Sequence, residues 1–487
     1  MSVLLAQRAA NSLVRLARHP ARALAAKAAP DSATQSTGEA ALPHGGDDDH
    51  DDGELTAEEE NGPGLIPQIR KRHDVRTRAL GQDAFVWEKM SQEAASMPEA
   101  LVSAISDTIR EKPVPNISAL RSHLKELEID FEKIRMGERV RENMYGSLGA
   151  VAAYSMSKAP GTFAALRRAI HEVQQVEPSF QPRSVLDFGA GPATGTAAAL
   201  SSFPASLRAS VLVERAAIMS EFGRSILSKF VKTFSRHSEG NEGDFQSAWL
   251  DSLELVPPDV RFDIVLSSFV LGEIGTSAER IESTLKKLIA RTKTVLVICE
   301  AGTPRGYERI EHCRQKGIEA GMRVVAPCQH DKPCPMKGST QFCNFVQRSV
   351  QNELQRRVRG EGRMLGYENE RFSYVALVAA DAASTFQGLD YKKRAWGRLT
   401  RSPLKLQGHV NFDACTKDGE WGRVPWTRSS GTKEQYTSAR KAQFGDLWGP
   451  KPMHKLQRLN YALTKAERRV VSGPKTGLNR QPGNESD

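Results

Sequence analysis

The sequence predicts a doubly wound α/β domain, and three observations carry that prediction. Short, largely apolar runs at 184–188, 210–213, 262–266 and 294–298 read as parallel strands buried on both faces. Stretches with helical spacing separate them, giving the βαβ alternation of a mostly parallel sheet. The first run also enters a turn with glycine at 189, 191 and 195, and an Ala/Leu-rich helix start follows at 196–200.

That turn is the first chemical feature. Glycine there permits an unusual φ and a close approach of ligand to backbone, so a side chain at Gly189 or Gly191 is expected to intrude on the ligand's path. The N–H groups of the following helix point at whatever occupies the turn. Glu214 closes the second strand, about 20 residues on, where a carboxylate can accept hydrogen bonds from a ribose hydroxyl pair. The acidic-x-Gly-x-Gly pattern from Asp187 to Gly191 lacks the third-glycine spacing of dinucleotide enzymes and resembles the S-adenosylmethionine loop of class I methyltransferases. That resemblance implies S-adenosylmethionine held by Asp187, Gly189, Ala190, Gly191, Gly195 and Glu214. A nicotinamide-type pocket is the alternative.

With 487 residues, the chain is long enough for two or three domains. The net charge is +10 even though 47–60 is strongly acidic, so the remainder is more basic still. This favours an anionic partner, RNA first, over a merely solvated surface. No apolar run reaches the roughly 18–20 residues of a membrane span.

Along the chain, 1–30 carries Arg8, Arg15, Arg18, Arg22 and Lys27 among leucines and no acidic residue. This is the composition of a mitochondrial transit peptide, implying the matrix; an amphipathic surface helix is the alternative. Residues 31–64 hold blocks of Asp and Glu that repel and bury nothing, as in a disordered linker. Residues 65–176 read as an N-terminal helical region, with Asn116 capping a segment in which Leu120, Leu124, Leu127 and Phe131 keep helical spacing. These helices are expected to cover one edge of the sheet. The core follows at 177–325, a cysteine-rich region with terminal strands at 326–426, and a basic tail at 427–487.

Of six cysteines, Cys299 reads as core of a strand and Cys313 as an inert helix residue. The other four stand apart. Five residues separate Cys328 from Cys334, eight separate Cys334 from Cys343, and Cys415 comes much later. In a reducing compartment such thiols suit a metal better than disulfides. Zinc sites usually show tight Cys-x₂₋₄-Cys knuckles, and none occurs here. A cuboidal 4Fe-4S cluster takes one thiolate per iron and tolerates looser spacing. Cluster, zinc and plain loop cysteines remain the three readings, with His330 either a zinc ligand or a support to the sulfurs.

Several segments together resemble one family in order: 185–195, Phe-Val-Leu-Gly-Glu-Ile at 269–274, 300–306, 326–336, Glu-Arg-Phe-Ser-Tyr at 370–374, and 408–419. They are similar to the mitochondrial small-ribosomal-subunit methyltransferase-like proteins, the Rsm-type assembly factors. The resemblance spans roughly 145–426. It implies a class I methyltransferase (Rossmann-like) fold, S-adenosylmethionine at the glycine loop, and a 4Fe-4S cluster on Cys328, Cys334, Cys343 and Cys415. It also implies binding to small-subunit rRNA and proteins, as a single copy on the ribosomal precursor. This chain departs from the pattern with Ala301 where relatives carry proline and Ala193 where a glycine is common.

The catalytic residue is unknown. Where amino-group methyltransferases place Asn/Asp-Pro-Pro-Tyr/Phe, this chain has Ser267-Ser268-Phe269-Val270. Glu273 could orient a substrate or cap a helix. Pro-Cys pairs at 327–328 and 333–334 resemble those of cytosine C5 enzymes, but a metal-bound thiolate cannot attack a base. Beyond 392, Arg and Lys alternate with aromatics, including Lys392, Arg398, Arg423, Trp396 and Trp426, the pattern of cations for phosphates and aromatics for bases. Residues 409–426 read as a hairpin, and the tail beyond it as ordered only on its partner.

Overall fold

The computed structural model describes residues 91–458 apart from 139, 142, 237–244, 276, 361–365, 387 and 390–394. The expected transit peptide, the acidic linker, the first part of the helical region, Lys392 and the tail cations from Lys465 onward lie outside the described residues.

Five helices come first: α1 (Gln92–Ala95), α2 (Glu99–Glu111), α3 (Ile117–Met136), α4 (Leu148–Ser157) and α5 (Ala159–Val176). Asn116 caps α3 by accepting from Ala119 N, as its sequence position predicts, and Gly137 ends it in the left-handed conformation. The alternating part is β1 (Ser184–Phe188), α6 (Thr194–Ser202), β2 (Ala209–Val213), α7 (Ala217–Arg236), β3 (Gln246–Leu250), β4 (Phe262–Ser268), α8 (Ala278–Ala290), β5 (Thr292–Ala301), α9 (Pro304–Glu319) and β6 (Arg323–Ala326). Then come β7 (Phe345–Val350), α10 (Glu353–Arg359) and the long β8 (Tyr367–Val378).

Strands β1–β5 are parallel, and β8 runs antiparallel beside β5, giving the order β3-β2-β1-β4-β5-β8-β6 with β7 on the near half of β8. This is the strand order of class I methyltransferases. Successive residues of a strand face opposite sides, and the two cores follow that rule. Val185, Leu212, Ile264 and Val297 pack under α2–α7. Leu186, Val211, Val265 and Leu296 pack under α8 and α9. The N-terminal helices therefore cover a face of the sheet and not an edge, because α5 buries Phe163, Leu166, Ile170 and Val173 against it. Cys299 and Cys313 are buried in these cores, as expected.

The expected hairpin belongs to something larger. β11 (His409–Thr416) and β12 (Trp421–Thr427) pair, but β9 (Gly397–Leu399), β10 (Leu404–Lys405), β13 (Leu447–Trp448) and β14 (Gln457–Arg458) join them in a second, six-stranded antiparallel sheet, with α11 (Lys433–Lys441) against it. Trp396, Phe412, Trp426 and Trp448 form its core. The tryptophans expected to stack on bases are thus spent on packing, and the part of the tail up to Arg458 belongs to this sheet and its helix. Large aromatic rings supply most of the apolar area available to a sheet this small.

Among the described residues no helix is long and apolar enough to cross a membrane.

Candidate functional site

Two candidate sites stand out. The first is at the carboxyl ends of β1, β2 and β4, where open α/β sheets bind ligands. Gly189 N and Ala190 N both donate to Val213 O, at 2.9 and 3.1 Å, so the turn is hung on the end of β2. Gly191 N donates to Glu214 Oε2 (3.0 Å) and Ala216 N to Glu214 Oε1 (2.8 Å). Glu214 is therefore where a ribose partner would be, with one lone pair of each oxygen already taken by backbone. Asp187 is fully buried and Oδ2 accepts from Thr196 N (2.7 Å) and Thr196 Oγ1 (2.9 Å). Burial pushes its carboxyl up to about 6, against the pull of those two hydrogen bonds. Its Oδ1 has no hydrogen-bond partner. Gly195 lies in the first turn of α6, beside that carboxylate.

The two glycines of the turn are needed for different reasons. Gly189 has φ +70°, and a β-carbon there would lie 2.5 Å from Val270 Cγ2, so protein packing rather than a ligand forbids it. Gly191, at φ +54°, faces open space as far as the Tyr154 ring 4.0 Å away, and it is the position a ligand can approach. Gly189→Ala is expected to destabilise the fold by about 1–2 kcal/mol through left-handed backbone strain alone, with the Val270 clash added. A lower unfolding midpoint in urea, together with lost binding of S-adenosylmethionine by calorimetry, is the expected result; unchanged values of both would refute it.

After β4, Phe269 adopts φ +57°, a strained conformation for a bulky residue, with its N–H on Cys299 O (2.8 Å). Glu273 follows, buried under the Tyr145 hydroxyl, which donates to Oε1 at 2.9 Å. Burial holds this carboxyl up at about 8. Glu300, at the end of β5, accepts from Leu271 N (2.9 Å) and pairs with Arg309 of α9 (3.3 Å). The segment 269–274 is thereby tied to α9. Tyr145 and Arg309 carried no motif and were not singled out in the sequence.

The second site is a cavity between α9, the loop after β6 and the second sheet. Cys328, Cys334, Cys343 and Cys415 all line it, with Tyr307, Arg314, Tyr374 and Arg398. Tyr307 Oη lies 3.2 Å from Cys334 Sγ, and His330 Nε2 lies 3.5 Å from Cys415 Sγ, outside the thiols rather than among them. Burial and then the neighbouring thiols push Cys343 and Cys415 well above the ordinary thiol range, and Cys334 is raised by the same causes. The loop is held at both ends: Gln329 Nε2 donates to Ala395 O (3.0 Å), Lys332 Nζ to Asp418 O (2.9 Å) and Ser373 Oγ to Cys343 O (2.7 Å). Tyr307, Glu311 and Arg314 fall on one face of α9 at helical spacing, which was the signal available in the sequence. Among the described residues no group of three or more His, Cys, Asp or Glu side chains is arranged to hold a metal ion.

Comparison with known proteins adds lineage to this geometry. The chain is 30% identical over 308 residues to the human "Ribosome assembly protein METTL17, mitochondrial", covering 61% of this chain and 62% of that protein. It is 24% identical over 429 residues to the Saccharomyces cerevisiae "Ribosome assembly protein RSM22, mitochondrial", covering 60% and 67%. The chain thus spans about three fifths of the human relative's length. Solved structures of similar fold include a magnesium protoporphyrin IX methyltransferase from Synechocystis with bound SAH (10% identity, TM-score 0.28, 54% of this chain and 98% of that one). Another is a putative RNA methyltransferase from Pyrococcus horikoshii (14% identity, TM-score 0.26, 53% and 96%). The family model described as "Mitochondrial small ribosomal subunit Rsm22" matches residues 149–449. Because that match takes in more than half of the chain, including the glycine turn, the first sheet and all four cavity cysteines, the chain belongs to the mitochondrial small ribosomal subunit Rsm22 family.

Proposed function

We propose that this protein is an assembly factor of the mitochondrial ribosomal small subunit, working in the matrix and binding small-subunit rRNA. In this reading S-adenosylmethionine sits at the glycine turn, and Cys328, Cys334, Cys343 and Cys415 hold a 4Fe-4S cluster. One observation carries it: four cysteines from a loop of the first sheet and a strand of the second line the same cavity. A lone zinc draws its ligands close about one centre. The loose spacing of the four cysteines, without a tight Cys-x₂₋₄-Cys knuckle, suits the larger cuboidal body better. The human and yeast relatives, both named as mitochondrial ribosome assembly proteins, support the cellular role.

The residues at the turn fit S-adenosylmethionine. Gly191 leaves open space before its backbone, and the half-buried carboxylate of Glu214 stands at the end of β2, where it suits a cationic, ribose-bearing ligand. When bound, the cofactor supplies an electrophilic methyl group. The chain's own residues would hold it: Glu214 fixes the turn through Gly191 N and Ala216 N, and the Tyr154 ring, with Tyr145 edge-on against it, borders the open side of Gly191.

An active rRNA methyltransferase is the second reading, and Glu273 favours it. A carboxyl held up at about 8, directly after β4, titrates in the range useful to a general base. Small-subunit precursors purified from cells with wild-type protein and with Gly191→Val protein separate the two. Assembly arrest with unchanged nucleotide methylation is expected for the assembly factor; loss of methylation at a single nucleotide would establish the enzyme. Deleting residues 2–30 is expected to leave a tagged protein in the cytosol by fluorescence imaging, and mitochondrial signal from that deletion would refute the transit peptide.

A further inference from the structure

Arg314 of α9 is only 3% exposed, and its contacts are uneven. Its Nη2 is fixed by His330 O (2.7 Å) and Lys332 O (2.8 Å), both in the cysteine loop. Its Nε and Nη1 are buried without a hydrogen-bond partner. Buried guanidinium groups normally face a carboxylate, because an unpaired charge in a low-dielectric interior is expensive. Among the described residues no carboxylate pairs with Arg314. Glu311, one turn away, pairs with Lys337 (3.0 Å). Arg398 lines the same cavity but is a different case, since Glu172 takes its charge at 2.9 Å.

A buried cation with two nitrogens that make no hydrogen bond, in a cavity lined by four cysteines and with no carboxylate paired to it among the described residues, is balanced when the cavity holds negative charge. A cuboidal 4Fe-4S core ligated by four thiolates is a dianion in its oxidised form, and one added electron makes it a trianion. We propose that Arg314 is the charge and N–H···S partner of that cluster and sets its reduction potential; this inference rests on the cluster reading above. A fixed positive charge in a low-dielectric cavity favours the more negative state, and hydrogen bonds to the sulfurs act in the same direction.

The test is an anaerobic redox titration of the full-length protein followed by visible absorption and electron paramagnetic resonance, with dithionite as the one-electron donor. Arg314→Met is expected to disfavour reduction at least tenfold, a potential lower by 59 mV or more. Arg314→Lys keeps the charge but loses the fixed fork, and a smaller shift in the same direction is expected. Equal potentials in wild type and Arg314→Met overturn the assignment. If Arg314→Met is folded but iron-free, Arg314→Lys is expected to recover iron, and a lysine variant equally empty overturns it too. Iron-free wild-type protein defeats the cluster reading itself, whereas iron-loaded wild type with an unmoved potential in the variants defeats only the role of Arg314.

Discussion

Serine in place of Cys415 is expected to leave a protein whose first sheet is intact and whose second sheet is loose. Cys415 lies on β11, 72 positions after Cys343, so a shared metal closes a long loop between the two sheets. Closing a loop of that length is worth about 4 kcal/mol in the chain-entropy account. Metal binding at such a site is also folding free energy, and all of it is at stake when a ligand is lost. Arg398 and Trp448 pair with β11 through β9, so the loosening is expected to spread to the tryptophan core. Anaerobically purified wild type should be brown; Cys415→Ser should lose most of that colour and its iron. Proteolysis should cut the variant between 397 and 458, binding to the small subunit should weaken, and S-adenosylmethionine affinity should stay near normal. A colourless wild type with one zinc per chain would remove the cluster and keep the staple. Full small-subunit binding by Cys415→Ser would remove the staple as well.

The second large effect is expected at Glu172. This α5 carboxylate is buried between Arg398 of β9 (2.9 Å) and Arg168 (2.6 Å), and Arg398 also donates to Gly445 O (3.0 Å). It is the buried ionic contact that ties the helical face of the first sheet to the second. Glu172→Gln leaves two buried guanidinium groups around a neutral amide. Breaking such a pair typically costs about 3–5 kcal/mol, which urea unfolding at pH 7 should register. Burial opposes ionisation of Glu172, but Arg398 and Arg168 overcome it and bring the carboxyl down to about 2 from its ordinary 4.5. A depressed carboxyl stabilises the fold above its unfolded value, and the contribution fades as pH falls from about 4.5 to about 2. That shift corresponds to roughly 3 kcal/mol. The stability gap between wild type and Glu172→Gln should therefore be full at pH 7 and narrow steadily below pH 4.5. A gap that is absent at pH 7, or independent of pH down to 3, would show that the ion pair contributes little.

The sequence by itself determined the alternating core and the location of the ligand turn. Val185/Leu186 and Val295/Leu296 are apolar on both faces, Gly189 and Gly191 mark the turn, and Asn116 marks a helix start; each signal is carried by neighbours within a few residues. The spacing of Cys328, Cys334 and Cys343 singled out the second site for the same reason. Only the tertiary structure decided where the N-terminal helices lie, because an amphipathic helix specifies that it must be buried but not against which surface. It alone revealed the second sheet, whose strands β9, β10, β13 and β14 are two or three residues long and too short to carry periodicity. Trp396, Trp426 and Trp448 look alike in sequence whether they stack on bases or fill a core, and the pairing of Gly397 with Thr416 and Trp448 turns them inward. Arg314 and Arg398 could not be told from the many surface cations of a basic chain. Their chemistry comes from burial beside Cys328 and Glu172, and burial is a property of long-range packing that no local spacing encodes.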